Sequence, residues 1–137
     1  ATVTSYHPNG QIKQYLESIN NRASGPYREW HSNGQLKIES FVIGGIADLN
    51  TQAEESWLFD GESQAWDEEG KLIAKIPYSK GDLSGEAHYF HPNGQLWKMT
   101  PFQKNAIHGI QKIYRDDGEL LQTISYQNGF KDGLCLR

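Results

Sequence analysis

Gly85-Glu86-Ala87-His88-Tyr89-Phe90-His91-Pro92-Asn93-Gly94-Gln95-Leu96 is the stretch on which the fold turns. Its first and last glycines stand nine residues apart, Phe90 precedes the second by four, and Leu96 follows it by two. Gly109, Tyr114, Gly118 and Leu120 repeat this arrangement 24 residues later. Working outward, Gly61, Gly85, Gly109 and Gly133 form one series at intervals of 24, and Gly70, Gly94 and Gly118 form a second. Gly10, Gly25 and Gly34 obey the same arithmetic. A period of roughly 20 to 50 residues marks a repeat architecture. The one fault is the 36-residue step from Gly34 to Gly70, which places an insertion of 12 residues near Ile46 to Trp57.

Five copies follow. The aromatic slot holds Tyr6, Trp30, Trp66, Phe90 and Tyr114, and the apolar slot Ile12, Leu36, Leu72, Leu96 and Leu120. Four residues further on come Leu16, Ser40, Ile76, Thr100 and Ile124. Even spacing predicts that these lie on one face of a strand, with Lys13, Lys37, Lys75 and Lys98 on a solvated second face.

The turns agree. His7-Pro8-Asn9-Gly10, His31-Ser32-Asn33-Gly34 and His91-Pro92-Asn93-Gly94 place Pro or Ser first among the central residues. Proline holds φ near about −65°, which excludes a type I′ turn and predicts a type I turn closed by a left-handed glycine bulge. Asp67 to Gly70 and Arg115 to Gly118 fill the same slot. Gly10, Gly34, Gly70, Gly94 and Gly118 are therefore the structural repeat glycines. Asn20-Asn21, Lys80-Gly81, Asn105 and Asn128-Gly129 read as tight left-handed links between hairpins. For Gly25, Gly61, Gly85, Gly109 and Gly133, at strand starts, the expectation is that an aromatic of an adjoining unit lies across the bare backbone. Leu134 to Arg137 would begin a further strand or a cap.

The fold class expected is all-β: residues 1–137 as one elongated, twisted antiparallel sheet of consecutive hairpins. Apolar residues at 36% and 14 glycines are thin for a deep core, and 12% aromatics suit a shallow packed sheet. A net charge of −4 excludes a strongly basic nucleic-acid surface. Cys135 is the single cysteine, so no intrachain disulfide forms, and its position points to neither metal binding nor nucleophilic chemistry. No apolar run approaches a membrane span and no charged-then-apolar leader opens the chain. This favours a cytoplasmic setting, whereas a trimmed leader would place the protein in the periplasm or at a surface.

The pattern Gly-x-x-x-x-aromatic-x-x-x-Gly-x-Leu, as in Gly85 to Leu96 and Gly109 to Leu120, resembles the MORN repeat in its bacterial variant. The short form Tyr/Trp/Phe-His-x-Asn-Gly-Gln-Leu/Ile resembles the repeats of bacterial YwqK-like antitoxins. The resemblance covers the chain except the insertion. It implies a consecutive-hairpin fold and a non-catalytic, protein-binding role of antitoxin or immunity type. MORN repeats elsewhere act as scaffolds, lipid-associated modules or accessory domains of enzymes such as a SET-domain methyltransferase.

No cofactor is expected, nor an enzyme. There is no Gly-x-Ser-x-Gly elbow, His-Glu-x-x-His or phosphate loop. His7, His31 and His91 share a repeat position, but adjacent copies lie roughly 9 to 10 Å apart at two strands per hairpin. Ligands of one zinc each lie about 2 Å from it, so these histidines read as strand-end caps. The informative anomaly is charge. Ile46 to Gly70 contains Asp48, Glu54, Glu55, Asp60, Glu62, Asp67, Glu68 and Glu69 with no Lys or Arg, leaving nine acids against 13 bases elsewhere.

Trp57, Phe59 and Trp66 lie among those acids. Asp48, Glu54, Glu55, Trp57, Phe59, Asp60 and Glu62 are thus candidates for binding a basic protein partner, a toxin under the family resemblance: carboxylates steer the encounter and aromatics anchor it. The competing structural account makes the insertion a loop or short helix whose aromatics pack the sheet. Two other readings stand beside the binding module: a membrane- or surface-associated scaffold using Lys13, Lys37, Lys75, Lys98 and Lys112, and an accessory docking domain of a larger protein. Interleaved acids weaken the lipid reading. Open sheet edges leave self-association through the ends as a further expectation.

Overall fold

The structure, a computed structural model, describes the backbone of residues 1–136 and the side chains of residues 1–130. The side chain of Cys135, the spatial surroundings of Gly133 and all of Arg137 lie outside the described residues. Fourteen strands form one open antiparallel sheet of consecutive hairpins, as the repeat predicts. Hairpin 1 is β1 (Thr2–Tyr6) and β2 (Ile12–Ile19); hairpin 2 is β3 (Arg22–Trp30) and β4 (Leu36–Gly44). Hairpin 3 is β6 (Gly61–Trp66) and β7 (Leu72–Ser79), preceded by the short β5 (Leu58–Phe59), which pairs back onto β4. Hairpin 4 is β9 (Gly85–Phe90) and β10 (Leu96–Gln103), preceded by the short β8 (Asp82–Leu83), which pairs back onto β7. Hairpin 5 is β12 (Gly109–Tyr114) and β13 (Leu120–Gln127), preceded by the short β11 (Ala106–Ile107), which pairs back onto β10, and β14 (Phe130–Leu136) closes the order.

Two turn types alternate along the two rims of this ribbon. On the first rim Gly10 N–H donates to His7 O at 2.9 Å and the glycine takes φ +89°, the type I turn with its glycine bulge. Gly34, Gly70, Gly94 and Gly118 repeat it at +90°, +86°, +90° and +93°. On the second rim both central residues are left-handed: Asn20 and Asn21, Lys80 and Gly81, Lys104 and Asn105, Asn128 and Gly129. These are two-residue links of the I′ kind, whose twist matches that of the strands.

The bulge changes which residues share a face. The Cα partner of Trp30 is Leu36 and that of Glu29 is Ile38, so Lys37 is the extra residue. The same shift recurs at Phe90 with Leu96 and at Tyr114 with Leu120. The apolar slot therefore pairs with the aromatic slot at the rim, and the expected continuous face from Leu36 to Ser40 is broken by one residue. Leu16, Ser40, Thr100 and Ile124 are buried on the inward face. Lys98 departs from the expected solvated face: paired with Tyr89 in the ladder, it holds its ammonium 4.8 Å above that ring.

The strand-start glycines also have a different cause from the one expected. Gly25, Gly61, Gly85 and Gly109 take φ +111°, +83°, +112° and +116°, a region L side chains rarely adopt. No aromatic of an adjoining unit lies across them: a Cβ at Gly85 would meet Pro77 at 3.3 Å, one at Gly109 Pro101 at 3.2 Å, and one at Gly61 nothing within 4 Å. The prolines explain themselves. Pro77 O and Pro101 O accept from Ser84 and His108, which interrupt the neighbouring strands, so the missing proline N–H faces a break in the ladder.

The core is one-sided and lies toward the N-terminal half. Leu16, Ala23, Tyr27, Val42 and Trp57 form it, with Val3, Ile38, Leu49 and Phe59 against them. Its roof is the insertion, residues 46–57, which stands where the other units have a two-residue link. Asn50 caps the helix α1 (Thr51–Glu55) by accepting from Ala53 N–H at 2.8 Å, and Ala53 is fully buried. Gly45 lets the chain turn here: a Cβ would fall 2.7 Å from Ser56 O.

Candidate functional site

The insertion and the third hairpin together frame a groove of about 320 Å³. Its origin is visible in the repeat. The two inward slots of each outgoing strand hold Val3 and Ser5, Tyr27 and Glu29, Ser63 and Ala65, Ala87 and Tyr89, and Gln111 and Ile113. Only the third unit is small at both, and its return strand adds Ala74 opposite Ala65. The missing side-chain volume is the groove floor. Ile38, Ser40 and Ile76 flank it.

Aromatic rings make the walls. Tyr27 and Trp57 lie 4.7 Å apart, Trp57 and Phe59 6.3 Å edge to face, and Phe59 and Tyr78 5.1 Å. Such contacts stabilise beyond their buried area by about 0.5 to 1.5 kcal/mol each. Trp57 is 7% exposed and donates its indole N–H to Ile46 O at 2.9 Å, which ties the insertion to its own start.

Acids stand at one end. Gln14 Nε2 donates to Tyr27 Oη at 3.0 Å and to Glu54 Oε1 at 3.2 Å, while its Oε1 accepts from Ser5 at 2.8 Å. Tyr27 Oη in turn donates to Glu29 Oε1. Burial first, then the bond to Glu29, pushes the Tyr27 phenol far above its ordinary value, so it stays a proton donor. Lys37 Nζ lies 3.8 Å from Glu29 Oε2. Glu54 has no cationic partner within ion-pair distance among the described residues.

The sequence candidates divide accordingly. Glu54, Trp57 and Phe59 line the groove, the two aromatics as packed walls and not as exposed anchors. Asp48, Glu55, Asp60 and Glu62 are exposed. Two of these also brace backbone: Asp48 accepts from Leu49 N–H at 2.8 Å, and Asp60 from Lys80 N–H at 2.9 Å. Tyr27, Glu29, Tyr78, Ser63 and Ala65 were not candidates from the sequence. The paired small residues at Ser63 and Ala65 were the available signal, legible once the five copies are aligned by strand parity.

The repeat histidines bridge hairpins. Nε2 of His7, His31 and His91 donates to the carbonyl oxygens of Trp30, Trp66 and Tyr114 at 2.8, 2.9 and 2.8 Å. Asn9, Asn33 and Asn93 donate to Ser32, Glu68 and Asp116 beside them. Among the described residues no group of three or more His, Cys, Asp or Glu is placed to hold a metal.

Comparison with known proteins agrees with this geometry. No curated protein matches the chain. The MORN repeat variant matches five times, at residues 1–20, 23–42, 59–80, 83–104 and 107–128. The widest unmatched gap, between 42 and 59, contains the insertion that roofs the groove. With five matched repeats spanning most of its length, the chain belongs to the MORN repeat variant family.

Proposed function

We propose that this protein is a binding scaffold of the antitoxin or immunity type, which neutralises a basic protein partner by docking it against the insertion and the adjoining sheet face. The observation that carries the reading is charge segregation: the acids from Asp48 to Glu69 cluster in sequence without one Lys or Arg, Asp48, Glu55, Asp60 and Glu62 of this segment are exposed, and Glu54 lines the aromatic groove. An acidic segment steers an oppositely charged partner and a partly desolvated groove holds it. MORN repeats are in general scaffolds for binding, and the aromatic-His-x-Asn-Gly-Gln-Leu form resembles bacterial antitoxin chains.

The test neutralises these exposed acids without touching the core. Asp48→Asn, Glu55→Gln, Asp60→Asn and Glu62→Gln are combined in one chain, which keeps the backbone acceptors, and this chain is used as bait beside the native one in host extract. The expected result is a basic partner retained by the native chain, lost from the variant and eluted by moderate salt. Equal recovery by both baits would end this reading.

A further inference from the structure

The groove asks for a particular guest. We propose that it receives an arginine side chain from an extended segment of the basic partner; this deepens the reading above and rests on it. Ser63 and Ala65 make the depth for a long side chain. Phe59 and Tyr78, the half-buried rings of the wall, supply ring surface, and aromatic faces attract a guanidinium. Glu54, half-buried at the end of the groove, carries a carboxylate bonded only to Gln14 Nε2 and within ion-pair distance of no cation among the described residues.

Charge decides against other guests. With Glu29 and Glu54 ionised and Lys37 counted in full, the groove remains one charge negative. An anion is repelled, and an apolar guest would strip water from carboxylates without replacing their hydrogen bonds. The sheet already cages a cation of its own: Lys98 Nζ lies 4.8 Å from the Tyr89 ring centre and 4.7 Å from that of Trp97. Arginine is favoured over lysine because its planar fork stacks on rings while donating two parallel bonds to a carboxylate. Lys37, with about half its side chain exposed, reaches Glu29 from the rim and can swing aside for the guest.

The experiment follows amide shifts of the full chain while titrating acetyl-Gly-Ser-Arg-Ser-Gly-amide, its lysine counterpart and its citrulline counterpart, a neutral isostere. The arginine peptide is expected to shift Ala65, Ile76 and Tyr78, with the citrulline peptide about tenfold weaker, as the loss of a charge-assisted pair implies. Glu54→Gln, which leaves the shape intact, should weaken the arginine peptide several-fold, and Ala65→Leu should abolish its binding. Equal shifts from arginine and citrulline, shifts that map elsewhere, or an unchanged Glu54→Gln titration would overturn the proposal. A lysine peptide as tight as the arginine one would overturn the choice of arginine. If Ala65→Leu does not fold, Glu54→Gln decides alone. A captured partner that Ala65→Leu keeps but the acid-neutralised chain loses would sink the groove and leave the binding reading standing.

Discussion

His31 Nε2 donates to the carbonyl oxygen of Trp66 across 35 positions of sequence, while its counterparts, His7 to Trp30 and His91 to Tyr114, each cross 23. The difference is the 12-residue insertion. Because the insertion leaves from the opposite rim, the histidine rim keeps its register and the next hairpin docks as though nothing had been added.

Removing that staple should loosen the joint between hairpins 2 and 3. His31→Ala is expected to lower stability by about 1 kcal/mol, the net worth of one hydrogen bond plus a carbonyl left to water. Urea unfolding checks it. An unchanged midpoint would mean that the bond contributes nothing.

One rim joint lacks the staple. Asp67 and Glu69 occupy the positions of His31 and Asn33, and a cleft of about 340 Å³ lined by Lys71, Leu72, Phe90 and Pro92 lies between this turn and the next. Asp67→His combined with Glu69→Asn should bond to the Phe90 and Pro92 carbonyls and raise stability by about 1 kcal/mol. The asparagine must accompany the histidine, since Asp67 Oδ1 now accepts from Glu69 and Lys71 N–H. A thermal melt reads the gain, and a lowered midpoint would contradict it.

Trp57→Ala should cost about 3 to 5 kcal/mol, as for other large-to-small core changes, because this side chain joins the insertion to Tyr27 and Phe59. Denaturant unfolding followed by circular dichroism measures it. A loss below about 1 kcal/mol would show that the roof is not coupled to the sheet.

Gly109→Ala and Gly61→Ala separate backbone strain from crowding. Both glycines have positive φ, but an added Cβ at Gly109 meets Pro101 Cγ at 3.2 Å while at Gly61 it meets open space. Gly61→Ala is expected to cost about 1 kcal/mol, and Gly109→Ala more. Equal losses in paired melts would remove any role for the proline contact.

Hydrogen bonding and charge from Arg115, whose Nη2 lies 2.6 Å from Asp117 Oδ2, hold the Asp117 carboxyl at about 2, below its ordinary 3.8. A depressed value in the folded state means stabilisation that is complete above pH near 3.8 and lost as the pH falls through about 2. In Arg115→Gln the carboxyl carbon should titrate closer to 3.8, though still below it because Glu119 N–H continues to donate. A titration that does not move would exclude Arg115 as the cause.

The hairpins were legible because each is local. Pro8, Asn9 and Gly10 allow one turn geometry, Asn128 and Gly129 another, and the 24-residue period repeats the instruction. The faces were less legible, since a one-residue bulge such as Lys37 reverses the parity of everything beyond it. Within the candidate site, the acids and Trp57 could be picked out as an anomaly of composition, but Glu29 and Tyr78 could not, because they acquire meaning only when strands distant in sequence lie side by side.

By itself the sequence determined the repeat, the turns, the order of strands and the position of the insertion, all consequences of local backbone preference and short-range pairing. The tertiary structure alone decided that the insertion folds back as a roof, that Trp57 becomes a wall of the core, and that Glu54 comes to stand beside Tyr27 and Gln14. The reason is physical: the fate of an irregular segment depends on the surface it can cover, and that surface exists only once the sheet has assembled.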